Sequence, residues 1–253
     1  MTIRMEVDRH VATITIDRPE RLNALDSEAY SELAECWRIV ESDDSIRVAV
    51  ITGVGRSFCV GADIRAHPRE TESWVSSPPI RLINTGLELF KPVIAGVNGF
   101  CLGGGLTMLL ATDIRIAAAS ATFRLPEVAR GLIPGNGGTQ RLIEQIPYAA
   151  AMDLLLSGST WDADTALRFG LVTEVVPDAE LAARVATRAR AMAELAPLAL
   201  RAAKELALRS RSLHLTDGLR LESAALAHLR RSIDAREGAL AFAEKRPAEY
   251  VGG

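Results

Sequence analysis

Short apolar, β-branched runs alternate along this chain with longer runs of helical period. Ile3 to Asp8 and Val11 to Asp17 are rich in β-branched side chains and are separated by the polar step Arg9-His10, which predicts an opening hairpin. Tyr30, Leu33, Trp37 and Val40 then recur at helical spacing, Asp26 stands where an N-cap belongs, and the polar run Ser42-Asp43-Asp44 ends the helix. Arg47 to Thr52, Lys91 to Val97 and Asp113 to Ala118 are apolar runs too short for helices. They alternate with segments of helical character, which predicts an α/β fold. From about Asp178 the composition turns to Ala, Leu, Arg and Glu, with helical stretches Ala179 to Glu194, Pro197 to Ser210 and His214 to Arg231. The C-terminal quarter is therefore predicted all helical. Within it, Asp234-Ala-Arg-Glu237 has capping-box spacing, with Asp234 as the cap of a last helix that carries Leu240, Phe242 and Lys245.

Composition narrows the class. At 253 residues, 48% hydrophobic and 24% charged, the chain has ample material for a large buried core. The net charge of −3 comes from interspersed signs, so the basic stripe that a nucleic-acid partner requires is missing. Cys36, Cys59 and Cys101 are widely spaced and form no C-x-x-C pair, which speaks against a zinc site or other metal centre and against a disulfide framework, and fits a reducing cytoplasm. The start Met1-Thr-Ile-Arg-Met-Glu lacks a basic-then-apolar signal, and charge or proline interrupts each long apolar stretch. Neither secretion nor a membrane span is expected.

Three segments carry candidate chemistry. In Gly53-Val-Gly-Arg-Ser-Phe-Cys-Val-Gly-Ala-Asp63 the glycines allow close backbone approach to a ligand. A dinucleotide loop would need a third glycine where Phe58 stands, and a nucleophile elbow would need a last glycine and a histidine partner. Asn98-Gly-Phe-Cys-Leu-Gly-Gly-Gly105 follows the Pro92 to Val97 run and precedes Leu106 to Ala111, which is apolar on all sides and so reads as a buried helix. Its N-terminus presents unpaired N–H groups suited to an oxyanion; a tight turn needing glycine only for packing is the plainer alternative. Phe123-Arg-Leu-Pro-Glu127 holds a carboxylate on backbone stiffened by proline, and Gly131-Leu-Ile-Pro-Gly-Asn-Gly-Gly-Thr-Gln-Arg141 opens a helix near Gly138. Alone, Glu127 reads as a solvated surface glutamate rather than a functional one.

Taken together, in this order and spacing, the segments resemble the crotonase (enoyl-CoA hydratase/isomerase) superfamily. Arg18-Pro-Glu-Arg-Leu-Asn-Ala-Leu25, Gly61-Ala-Asp-Ile64, Lys91-Pro-Val-Ile-Ala-Gly-Val-Asn-Gly99, Gly103-Gly-Gly105 and Ile133 to Arg141 carry the similarity, which runs from Thr2 to the Ala239 to Arg246 ending. The resemblance implies a spiral of repeated β-β-α units over residues 1–194 and a C-terminal helical region over residues 195–253 that packs subunits into trimers or dimers of trimers. It implies an acyl-CoA thioester as partner and substrate, with no cofactor beyond the coenzyme A that the substrate carries. By position, Ala62 and Gly104 resemble the backbone donors that bind the thioester oxygen. Arg21, Leu22 and Ala24, with Gly61, Asp63, Ile64 and Arg65, resemble positions around the CoA moiety, and Phe242 and Lys245 resemble C-terminal positions that approach CoA, often from the neighbouring subunit.

One position departs from the pattern. Hydratases of this superfamily use two glutamates; Glu127 matches the second, but the first is Thr107. A hydroxyl is no general base near neutral pH and can instead bond a carbonyl one turn back. The leading reading is therefore proton transfer by Glu127 alone, taking an α-proton from a 3-enoyl-CoA and returning it at C4. Hydration with an atypical water site and non-catalytic acyl-CoA binding are the alternatives, with a structural oligomer third. His10, His67, His214 and His228 have no motif partners and read as surface or packing residues, Asp63 as ordering its own turn, and Cys59 and Cys101 as small packing residues. Arg65 to Leu89 would wall the acyl pocket, with Trp74-Val-Ser-Ser-Pro-Pro79 as a mobile wall.

Overall fold

The computed structural model describes residues 2–65 and 80–253; His67 and the Trp74 to Pro79 stretch lie outside the described residues. The opening hairpin is present as β1 (Ile3–Asp8) antiparallel to β2 (Val11–Ile16). Next comes α1 (Ser27–Ser42), where the Asp26 carboxylate accepts from the Ala29 N–H and Leu33, Trp37 and Val40 are buried.

Beyond α1 the chain repeats one move. It lays a strand in a large sheet, turns, lays a short strand in a small sheet, and returns. The large-sheet members are β3 (Val48–Gly53), β5 (Val93–Val97) and β7 (Ile114–Ala118); the small-sheet members are β4 (Ser57–Cys59), β6 (Phe100–Leu102) and β8 (Thr122–Arg124). Neighbours within each set are parallel. Two later strands complete the sheets. β9 (Trp161–Asp162) pairs antiparallel with β8, and β10 (Glu174–Val176) pairs parallel with β7, giving the orders β1-β2-β3-β5-β7-β10 and β4-β6-β8-β9. This two-sheet winding agrees with the spiral of repeated β-β-α units that the resemblance implies.

Both faces of the large sheet are covered at β3, β5 and β7, which explains why these strands are near-continuous apolar runs rather than alternating ones. One face packs on α1 and on the core between the sheets, which includes α2 (Gly104–Leu109). The other packs on α6 (Leu181–Ala193), whose Leu181, Val185 and Ala189 are buried among Val48, Val50, Ile94 and Ile116. Full burial of one such side chain contributes about 1.5–3 kcal/mol, so a charge placed at Val185 would open this layer. Between β8 and α6 lie α3 (Gly138–Gln145), α4 (Tyr148–Ser157) and α5 (Ala163–Arg168).

The C-terminal part is helical as expected: α7 (Pro197–Arg209), α8 (Leu215–Leu229) and α9 (Ile233–Glu244). The expected cap of α9 is corrected. Ser232 is the N-cap, its hydroxyl accepting from the Ala235 N–H at 3.0 Å. Asp234 lies inside the first turn, where its carboxylate accepts from the Val251 and Gly252 N–H groups at 2.8 and 3.0 Å. Glu237 is paired with Arg246 rather than reaching back to a cap. Lys245 is beyond the helix, in the left-handed conformation that ends it (φ 55°). Among the described residues no helix is long and apolar enough to cross a membrane.

Candidate active site

The loop after β4 lies beside the turn before α1. Leu25 and Ala62 form an isolated parallel bridge, in which the Leu25 N–H donates to the Gly61 carbonyl (2.8 Å) and the Asp63 N–H donates to the Leu25 carbonyl (2.9 Å). Successive amides of an extended segment point to opposite sides, so the Ala62 N–H faces away from this bridge. Gly104 opens α2, where the first amides have no intrahelical acceptor. Among the described residues neither the Ala62 nor the Gly104 N–H donates a backbone hydrogen bond.

The two amides are side by side. A Cβ at Gly61, whose φ is +90°, would lie 2.7 Å from the Gly104 nitrogen, and one at Gly104 would lie 3.6 Å from the Ala62 nitrogen. Here glycine is required by contact between backbones. Loop 53–57 behind them is pinned by two asparagines: Asn23 Nδ2 donates to the Val54 and Ser57 carbonyls (3.0 and 2.6 Å), and Asn98 Nδ2 donates to the Gly55 and Ser57 carbonyls (2.8 and 3.1 Å).

Glu127 comes close to the same turn. Pro126 precedes a short 3-10 helix, Glu127–Arg130, and a Cβ at Gly103 would lie 3.0 Å from Glu127 Oε1. Glu127 Oε2 is buried without a hydrogen-bond partner among the described residues. Burial, only partly offset by the residue's own backbone hydrogen bond and by the Arg130 charge, raises the Glu127 carboxyl above the ordinary glutamate value. Thr107 is buried in α2 and its hydroxyl donates to the Gly104 carbonyl at 3.1 Å, the back-bond read from sequence. Its methyl faces α3, 2.6 Å from where a Cβ on Gly138 would sit.

The positions assigned to CoA divide into two groups. Ala24, Gly61 and Asp63 are buried, Leu22 is half-buried in a left-handed conformation, and Arg21, Ile64 and Arg65 are exposed beside them. Asp63 orders its own turn by accepting from the Arg65 N–H at 3.1 Å. Phe242, 88% exposed, and Lys245, also exposed, stand outside this set of contacts at the end of α9. Cys59 and Cys101 are register partners on β4 and β6, both fully buried. Burial pushes the Cys59 thiol up to about 12 and Cys101 well above its usual value, which agrees with a packing role.

Sequence reasoning did not single out Arg18 or the exposed apolar pair Leu132 and Ile133, which follows Glu127 by one turn and is 64% and 77% exposed. Leu132 and Ile133 were visible only as residues of a Gly/Pro loop, and Arg18 only as the first residue of the Arg18 to Leu25 stretch; the contact that joins Arg18 to the loop after β4, with Asp63, is far along the chain.

A twin-sheet spiral with parallel strands, a glycine-lined backbone cradle and a helical C-terminal region defines the crotonase fold class. The sequence profile of the family described as Enoyl-CoA hydratase/isomerase matches residues 6–253. The chain is 40% identical over 255 residues to "(E)-benzylidenesuccinyl-CoA hydratase" of Thauera aromatica, covering 100% of both chains. It is 37% identical over 249 residues to "Carnitinyl-CoA dehydratase" of Proteus mirabilis, covering 96% of this chain and 95% of the other. The crystal structure of an enoyl-CoA hydratase from Bacillus anthracis superposes with a TM-score of 0.94 at 35% identity, over 100% of both chains. The chain belongs to the enoyl-CoA hydratase/isomerase family and is an enzyme acting on CoA thioesters.

Proposed function

We propose that this enzyme moves a single proton on an enoyl-CoA through Glu127 alone. The observation that carries the reading is the contrast between two side chains. Glu127 is a carboxylate with one unpartnered buried oxygen and a raised pKa, whereas Thr107, at the other glutamate position, has its hydroxyl bonded to Gly104. In this reading the Ala62 and Gly104 N–H groups receive the thioester oxygen. Glu127 removes an α-proton from a 3-enoyl-CoA, the electron pair spreads onto that oxygen, and the proton returns at C4 as the double bond moves into conjugation. One preorganised donor is worth about 3 kcal/mol in such a site, and a positioned base about 10²- to 10⁴-fold in rate.

Residues 21–24 and 61–65 line the CoA moiety, and no cofactor takes part. Residues 1–194 carry this site and residues 195–253 join subunits. The wide exposure of α8, which buries none of its residues, and of Phe242 supports a partner subunit there.

A second reading, hydration of a 2-enoyl-CoA with Glu127 and a backbone amide holding the water, draws support from the hydratase and dehydratase names of the relatives. Parallel assays of wild type and Glu127→Gln with a 3-enoyl-CoA and a 2-enoyl-CoA separate the two. Isomerisation without hydration, lost in the variant, is the expected result. Hydration lost in the variant supports the second reading, and turnover that survives in the variant overturns both.

A further inference from the structure

We infer that Arg18 is a positioning residue that couples the CoA-lining loop at residues 19–25 to the Ala62 amide; the inference rests on the reading of those residues just given. The Arg18 side chain is only 16% exposed and faces two segments at once. Nη1 donates to the Ala24 carbonyl at 2.7 Å, while Nη2 meets the Asp26 carboxylate at 2.9 Å and the Asp63 carboxylate at 3.5 Å. Its backbone closes the loop as well: the Arg18 N–H donates to Asn23 Oδ1 at 2.9 Å, and the Arg18 carbonyl accepts from the Arg21 and Asn23 N–H groups, each at 2.9 Å.

The loop so held is unusual. Leu22 and Asn23 are consecutive non-glycine residues with positive φ, 54° and 58°, a conformation that persists only where the surroundings over-determine it. Ala62 lies between Gly61 and Asp63, and both of these are bonded to Leu25 at the loop's far end. A planar guanidinium that binds Ala24, Asp26 and Asp63 therefore closes a ring around the Leu25–Ala62 bridge. Lysine, a point charge without the fork, cannot reproduce it. When CoA fills the loop, the ring holds the Ala62 N–H on the thioester oxygen, so binding energy from the non-reacting end of the substrate is used at the reacting end.

The test compares an acyl-CoA with the same acyl group on N-acetylcysteamine, which lacks the nucleotide and leaves the loop empty. In Arg18→Met and Arg18→Lys, kcat for the CoA substrate should fall about tenfold while kcat for the short thioester changes by less than about threefold. Arg18→Met leaves Asp26 and Asp63 facing one another, so Arg18→Gln, whose amide can still donate to a carboxylate, decides the matter if Arg18→Met does not fold. Equal losses on both substrates in a folded variant, or no loss on either, would overturn the coupling. Wild-type turnover and its loss in Glu127→Gln test the site reading separately. Without turnover, the ultraviolet red shift of a bound cinnamoyl thioester, which reports polarisation of its carbonyl, is compared between the same two carriers.

Discussion

Gly103 is the point at which the glycine turn and Glu127 can be perturbed together. It sits at φ 51°, ψ −120°, a region that residues with a side chain rarely adopt, and alanine there costs about 1–3 kcal/mol of backbone strain. The new methyl would lie 3.0 Å from Glu127 Oε1, and 3.8 Å from Glu127 Cδ and from Pro126 Cδ. The carboxylate must then retreat by a few tenths of an ångström. A full ångström of misplacement costs about 10² in rate, so kcat should fall about tenfold. In a chain of this size each kcal/mol lowers Tm by about 2–4 °C. The matched control is Gly170→Ala: its φ is +76° and no atom lies within 4 Å of the added Cβ, so it brings strain without the contact. Thermal melts give the strain of each variant, and steady-state turnover of an enoyl-CoA gives the displacement. If Gly103→Ala loses no more kcat than Gly170→Ala, the contact does not hold the base, and the placement of Glu127 in the site is wrong.

Three further outcomes are expected. Because its folded pKa is raised, Glu127 costs stability above the ordinary glutamate pKa of about 4.3 and none well below it, where both states are protonated. Glu127→Gln should therefore melt higher than wild type at pH 7, with the gap closing in acid, and the acid limb of wild-type kcat/KM should lie above the ordinary glutamate value; an equal gap at pH 7 and pH 3 would refute this. Thr107→Val should keep kcat within about threefold and lose roughly 1 kcal/mol with the Gly104 back-bond, as read by denaturant titration, whereas a collapse of kcat would make the hydroxyl catalytic. Ser232→Ala should lose about 1 kcal/mol of cap, while Asp234→Asn should chiefly loosen residues 251–252 and speed their amide exchange; equal exchange in both variants would refute the distinction.

The central strands were legible because burial on both faces leaves an unbroken apolar run, as in Val48 to Ile51. The small sheet was not legible from the residues: Ser57–Cys59, Phe100–Leu102 and Thr122–Arg124 are three residues each, too short to display a period. The spiral came instead from the resemblance carried by the glycine segments. Asp26 was readable as a cap because its partner, Ala29, is three residues on. Asp234 was misread because its partners, 17 and 18 residues later, compete for the same carboxylate and win, leaving the cap to Ser232. The Arg18 ring failed to register for the same reason: its farthest arm, Asp63, lies well beyond the range of any local pattern.

The contact between Gly61 and Gly104 has a consequence for how this scaffold diversifies. The spacing of the two amides is fixed by main chain against main chain, with no side chain in between to be lengthened or trimmed. Substitution at either glycine can break the cradle but cannot retune it. In the proposed reading any change of reaction must come from the removable parts beside it, such as a hydroxyl at 107 and a carboxylate at 127. In that reading, a cradle of constant dimensions polarises the carbonyl for whatever proton chemistry those neighbours supply, so the reaction can be exchanged while the part that stabilises its charge is kept.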